Sequence, residues 1–171
     1  KSLISDISIS TFDATNASDY KSKIVNTELV VNALPGPIGH LALQNIVNLG
    51  MSCVDVSFTS EDPRILKNKA KKSNSLVIAD TGIAPGLSNL LSAELVVNKN
   101  IQSLEIFVGG LPFRRTPPWE YAAPFSPIDV IAEYTRPARI KINNKIETRP
   151  ALSGLKHLEI DKIGTLEAFL T

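Results

Sequence analysis

Three short apolar runs, at residues 29–33 (LVVNA), 53–56 (CVDV) and 76–79 (LVIA), are separated by stretches long enough for one helix each. This alternation constrains the fold more than any other feature. A nearly unbroken apolar strand suits a sheet covered on both faces, and strands joined by helical crossovers run parallel. Residues 8–12 read as a further strand and 18–25 as a short helix. A helix over 40–49 is closed by Gly50, a residue free to take the positive φ of a C-terminal cap. Asp62 and Pro63 open a helix to about residue 72, with proline in the first turn, where its missing N–H has no helical partner to lose. The expectation is an α/β fold with three or four parallel strands up to about residue 95.

The second half has a different character. Residues 103–108 (SLEIFV) read as a strand running into Gly109-Gly110. Residues 112–137 hold six of the eleven prolines and five of the ten aromatic residues, which marks a long structured loop. A helix over 127–134 follows. Residues 140–146 form a hairpin, with Asn143-Asn144 suited to the positive φ values of its turn. Strands near 158–160 and 166–169 complete a mixed or antiparallel sheet. The break between the halves falls near residues 98–100, giving domains 1–98 and 99–171.

Composition narrows the function classes. Apolar residues make up 43% of the chain, enough for a packed core, and the net charge is +1. Lys67, Lys69, Lys71 and Lys72 read as the wet face of a helix, so no nucleic-acid partner is expected. No apolar run approaches the roughly 20 residues that span a bilayer. The first residues resemble neither a signal nor a transit peptide. One cysteine, Cys53, leaves no internal disulfide and no zinc cluster. The expected location is the cytoplasm, without membrane or metal.

The stretch 80–89 (DTGIAPGLSN) sits between an apolar strand and a helix start. In an open α/β sheet, the ligand crevice lies beyond the carboxyl ends of the strands. Gly82 and Gly86 can take positive φ and Pro85 fixes its own, holding Asp80 at the crevice rim. Two roles compete for Asp80. A carboxylate closing a buried strand is desolvated and suited to acid–base work; an Asp before a Gly turn also simply accepts local N–H groups.

VVNALPG at 30–36, CVDVSF at 53–58, ADTGIAPGLSN at 79–89 and VGGLP at 108–112 occur in one order with PPWEYAAPFSPIDVIAEYTRPA at 117–138 and GTLEAF at 164–169. Together they resemble the saccharopine dehydrogenase-like superfamily, and within it most the NAD-dependent lysine 6-dehydrogenases. The resemblance implies the C-terminal part of a Rossmann-type parallel sheet, followed by part of a second α+β domain with a mixed sheet. Such enzymes open with a G-x-G-x-x-G turn that binds pyrophosphate; none of the nine glycines here forms G-x-G. The chain therefore reads as an internal fragment of a larger enzyme or a shortened gene product, inactive by itself.

The activity implied is oxidative deamination of the terminal amine of lysine, by hydride transfer to NAD, with NADP left open. Saccharopine or a carboxylated polyamine is the alternative substrate; saccharopine-forming relatives carry Asp where this chain has Ala84. A reading of another class is a truncated, non-catalytic nucleotide-binding or dimerisation module. The resemblance puts Asn32, Ala33, Leu34 and Pro35 along the cofactor, Asp55, Ser57 and Phe58 beside the nicotinamide, and Ile83, Ala84 and Pro85 on its opposite side. Asp13 matches the acidic residue near the adenine. Plain strand-ending turns and caps account for the same residues, at Asp13 and Asp55 above all. Asp80 is the catalytic candidate. His40 reads as a surface helix residue.

For the amino-acid substrate, Gly110 permits close backbone approach, Arg114, Arg115 and Arg136 offer carboxylate forks, and Tyr121 and Tyr134 pack against an aliphatic chain. Packing of Trp119, Tyr121 and Phe125 into a core or a dimer contact explains the same aromatics, and Arg136 also suits the last carbonyls of its helix. The family implies a homodimer through the second region's sheet.

Overall fold

A computed structural model describes residues 7–24, 27–114, 116–118, 120–122 and 125–171. Arg115 and Trp119 lie outside these residues. The chain divides into two compact units, Lys1–Gln102 and Ser103–Thr171.

In the first unit the elements run α1 (Ala17–Lys23), β1 (Leu29–Asn32), α2 (Gly36–Asn48), β2 (Ser52–Asp55), a 3-10 turn (Pro63–Leu66), α3 (Lys67–Ser73), β3 (Val77–Ile78) and α4 (Leu87–Asn98). The strands form a parallel three-stranded sheet in the order β1-β2-β3. Register pairs Val30 with Cys53, Asn32 with Asp55 and Cys53 with Val77. Side chains alternate along a strand, so these residues share one face, and α2 covers it. Ala42, Leu43, Ile46 and Val47 of α2 are buried with Cys53, Leu66 and Tyr20. Their spacing places them on one helical stripe. Each fully buried aliphatic side chain contributes about 1.5–3 kcal/mol. Phe12 meets Tyr20 edge-on, with ring centroids 5.1 Å apart.

Two expectations about secondary structure fail in this unit. Residues 8–12 form no strand; Phe12 and its neighbours instead line an open cavity of about 520 Å³ beside β1, with Tyr20, Val30, Asn32 and Ile46. Helix α2 also begins at Gly36 rather than at residue 40. Pro37 reads as a turn residue, yet the first N–H groups of a helix have no intrahelical acceptor, so proline sits there without loss. Leu90, Val96 and Val97 of α4 are exposed, as are Val31 and Ile78 on the sheet face opposite α2. Among the described residues no helix is long and apolar enough to cross a membrane.

The second unit contains α5 (Pro127–Thr135), β4 (Ala138–Ile142), β5 (Lys145–Arg149), β6 (Lys156–Ile160) and β7 (Gly164–Ala168). The strands pair antiparallel, as two separate hairpins, β4-β5 and β6-β7, where one mixed or antiparallel sheet was expected. Asn143 and Asn144 turn the first hairpin with φ 49° and 63°, the left-handed values of a two-residue turn. Leu152 N–H donates to the Leu170 carbonyl and Leu170 N–H to that of Ser153, while Tyr134 packs on Phe169 at 5.7 Å. Residues 103–108 have strand-like composition but form no strand. No described strand offers them a ladder; Lys156 forms an ion pair with Glu105 among them.

Candidate functional site

Because β1, β2 and β3 are parallel neighbours, their carboxyl ends share one edge of the sheet. Hydrogen bonds sew those ends together. Val56 N–H donates to the Asn32 carbonyl at 2.9 Å. The Asp55 carbonyl accepts from Thr81 N–H at 3.1 Å and from Thr81 Oγ1 at 2.9 Å. Segments 32–35, 55–58 and 81–86 therefore leave the sheet side by side.

Asp55 is the centre of this edge and is 3% exposed. Its Oδ1 accepts from Asn32 Nδ2 at 3.0 Å, Ser57 N–H at 3.1 Å and Ser57 Oγ at 2.5 Å. Burial pushes its carboxyl above the usual carboxylate value; the bonds from Ser57 and Asn32 pull it down, and the Asp80 charge adds to the rise. Asn32 Nδ2 also donates to the Gly39 carbonyl at 3.0 Å. A main-chain carbonyl can only accept, which fixes the Asn32 amide and leaves its buried Oδ1 without a donor.

Helix α2 enters this edge closely. A Cβ on Gly39 would lie 2.5 Å from Ser57 Cβ, so only glycine lets the helix start approach the end of β2. His40, the next residue, is buried rather than on the surface. Its Nε2 lies 2.8 Å from Gln44 Nε2, and its buried Nδ1 has no partner. When the Gln44 amide donates, the imidazole proton resides on that Nδ1.

The loop after β3 folds tightly on itself. Leu87 N–H donates to the Gly82 carbonyl and Ser88 N–H to that of Ile83, both at 2.9 Å. Gly86 has φ 138°, and a Cβ there would lie 2.0 Å from the Gly82 oxygen. Ile83 projects from the loop, 77% exposed; Ala84 and Pro85 are half-buried.

Asp80 departs from expectation. It is exposed and holds φ 55°, so the strand end does not desolvate it. The buried carboxylate of this edge is Asp55, because Asp55 faces α2 while β3 ends two residues before Asp80. Asp13 is exposed and accepts from Thr15 N–H at 2.9 Å and Thr15 Oγ1 at 2.8 Å; these bonds hold its carboxyl below the usual range. That is the local turn-capping arrangement. Ala33 and Pro35 are exposed, and Leu34 and Phe58 half-buried. Gly39 and His40 belong to the edge although sequence reasoning missed both; the G-P-I-G spacing at 36–39 was the available signal.

The proposed substrate-side residues lie in the second unit. Gly110 and Tyr121 are half-buried and Arg114 is exposed. The Tyr121 hydroxyl is pushed up by burial, then by the charges of Tyr134 and Glu133. Glu133 is likewise raised, by burial and then by Asp129. Arg136 N–H closes α5 on the Ala132 carbonyl at 2.9 Å. Among the described residues no cluster of His, Cys, Asp or Glu is placed to hold a metal ion.

Residues 82–171 match the saccharopine dehydrogenase C-terminal domain. The chain belongs to this family. A structure of apo histidine-tagged saccharopine dehydrogenase (L-Glu forming) from Saccharomyces cerevisiae superposes with a TM-score of 0.66 at 18% identity, over 92% of this chain and 38% of that one. The saccharopine dehydrogenase-like fold is therefore shared across both units. Alpha-aminoadipic semialdehyde synthase of Arabidopsis thaliana is 21% identical over 150 residues, covering 84% of this chain and 14% of the relative. The mitochondrial synthase of Bos taurus is 24% identical over 145 residues, 81% and 15% respectively. The saccharopine dehydrogenase-like chain thus spans about one-seventh of the length of these curated relatives.

Proposed function

We propose that this chain is part of a nicotinamide-dependent oxidoreductase that oxidises the C–N carbon of lysine or of a lysine-derived amino acid such as saccharopine. The observation that carries the reading is the sewn edge at Asn32, Asp55 and Thr81, in a chain of this family. Oxidation at such a carbon needs the substrate held against the nicotinamide at about 3–3.5 Å and a group to take the ammonium proton. A bound nicotinamide would supply the hydride acceptor, and water would hydrolyse the resulting imine to an aldehyde, releasing the nitrogen as ammonia or as the partner amine.

The edge fits such a group at one orphaned atom. Asn32 Oδ1 is a buried acceptor with no donor, suited to a carboxamide N–H or a ribose hydroxyl. Residues 32–35 and 55–58 would flank the cofactor, with 83–85 opposite. Exposed Asp80 is free to reach a substrate amine as its base. Gly110, Arg114, Tyr121, Tyr134 and Arg136 would receive the amino-acid portion, the guanidinium groups pairing with carboxylate. A homodimer through the second unit completes the reading.

Two substrates fit. The lysine terminal amine follows from the resemblance of segment 79–89, whereas the names of the matched family and of the solved structure favour saccharopine. Steady-state assays of the purified enzyme with lysine or saccharopine, each with NAD and with NADP, decide. Reduction of nicotinamide with either amino acid supports the reading and names the substrate; no reduction with any combination refutes it.

A further inference from the structure

We propose that Asp55 is a positioning residue, a latch whose one carboxylate oxygen and one main-chain carbonyl hold together the ends of β1 and β2, the start of α2 and the loop after β3. The family resemblance places this position beside the nicotinamide, but the geometry points inward. Oδ1 is already committed to Asn32 Nδ2, Ser57 N–H and Ser57 Oγ. The main-chain oxygen is committed to Thr81 N–H and Oγ1. Asn32 relays the latch to the Gly39 carbonyl. Ser57, held by Asp55, fills the space that a side chain on Gly39 would need.

A group bonded in this way acts through what it holds. The amide of Asn32 is fixed with Oδ1 facing no protein donor, Ser57 is held under α2, and Thr81 anchors the loop that presents residues 82–86. Hydrogen bonds to an ionised oxygen are roughly twice as strong as neutral ones, so the latch is tightest when Asp55 is ionised. Among the described residues, Asp80, from the loop after β3, and Cys53, on its own strand, interact with it electrostatically. Helix α2 contributes His40, next to the Gly39 that Asn32 holds. What the latch positions rests on the function proposed above; the latch itself is testable without nucleotide.

The test is an NMR pH titration of the 171-residue chain with no nucleotide present, following the Ser57 amide and the Asn32 side-chain amide. Both signals should move together, with one midpoint above the ordinary aspartate range. Asp55→Asn should abolish that movement. Ser57→Ala, which removes only a hydroxyl, should shift the Asn32 midpoint to higher pH, and Asp80→Asn should shift it to lower pH. These two variants decide the matter if Asp55→Asn does not fold. A silent Ser57 amide, a midpoint at the ordinary value, or movement that survives in Asp55→Asn overturns the latch. None of these outcomes depends on whether nicotinamide nucleotides bind.

Discussion

Replacing Gly39 with alanine tests the closest contact in the candidate site. The added Cβ would sit 2.5 Å from Ser57 Cβ and 2.6 Å from Ser57 Oγ. Optimal carbon–carbon separation is about 3.5–4.0 Å, so one side must move by about 1 Å. Ser57 cannot retreat freely, because its Oγ and N–H both donate to Asp55 Oδ1. Forced overpacking costs about 1–3 kcal/mol, and a lost hydrogen bond to a charged group about 1.5–3 kcal/mol. Against this, alanine is favoured over glycine in a helix by about 1 kcal/mol. The contact wins, and the net loss is about 1.5–5 kcal/mol. For a unit near 100 residues that lowers Tm by about 6 °C or more. Urea and thermal unfolding of Gly39→Ala measure the loss, and Gly39→Ala with Ser57→Gly should recover the overpacking part, about 1–3 kcal/mol, by removing the clashing atoms, while the Ser57 Oγ bond to Asp55 stays lost. A single variant within about 0.5 kcal/mol of the parent, or no recovery in the pair, refutes the close approach.

Ile46→Ala, at a position 1% exposed, should cost about 2–5 kcal/mol in urea unfolding; a loss under about 1 kcal/mol would remove α2 from the core. The Asp55 carboxyl is raised above its usual 3.8 by burial, so the folded chain binds this proton more tightly than the unfolded one. Its contribution to stability is full below pH 3.8 and is lost as pH rises through the raised folded value. Asp55→Asn should therefore gain on the parent in urea midpoint across that window, and a constant difference would contradict the assignment. In the purified enzyme, Asp80→Asn should lower turnover about 10²–10⁴-fold at saturating cofactor and amino acid; turnover within about threefold of the parent makes Asp80 a turn residue.

The parallel sheet was legible because apolar runs flanked by helix-length stretches allow few other arrangements; β1 and β3 fall within their runs, and β2 overlaps its run at residues 53–55. The Asn143-Asn144 hairpin was legible from one dipeptide whose φ values few other residues tolerate. Residues 8–12 and 103–108 have strand composition without strands, since a strand needs a neighbour and composition does not say whether one is present. The same limit hid the division of the second unit into two hairpins. At the site, position beyond the strand ends was readable but burial was not. Asp55 ends β2 and Asp80 follows the run at 76–79, and only the packing of α2 decides which is buried. His40 read as a surface residue because the start of α2 was placed four residues late, which hid the G-P-I-G approach to Ser57.

The central claim is that segments 32–35, 55–58 and 83–85 form one nicotinamide-nucleotide surface. NAD titrated into the isotope-labelled 171-residue chain, followed by amide chemical shifts, tests it most directly. Without a G-x-G-x-x-G turn the affinity should be too weak for calorimetry at micromolar protein, so nucleotide must be raised to roughly millimolar levels, the range of weak complexes. The account predicts saturable shifts concentrated in those three segments and at Gly39 and His40. Shifts scattered over the second unit, or confined to α3 and its lysines, would contradict it.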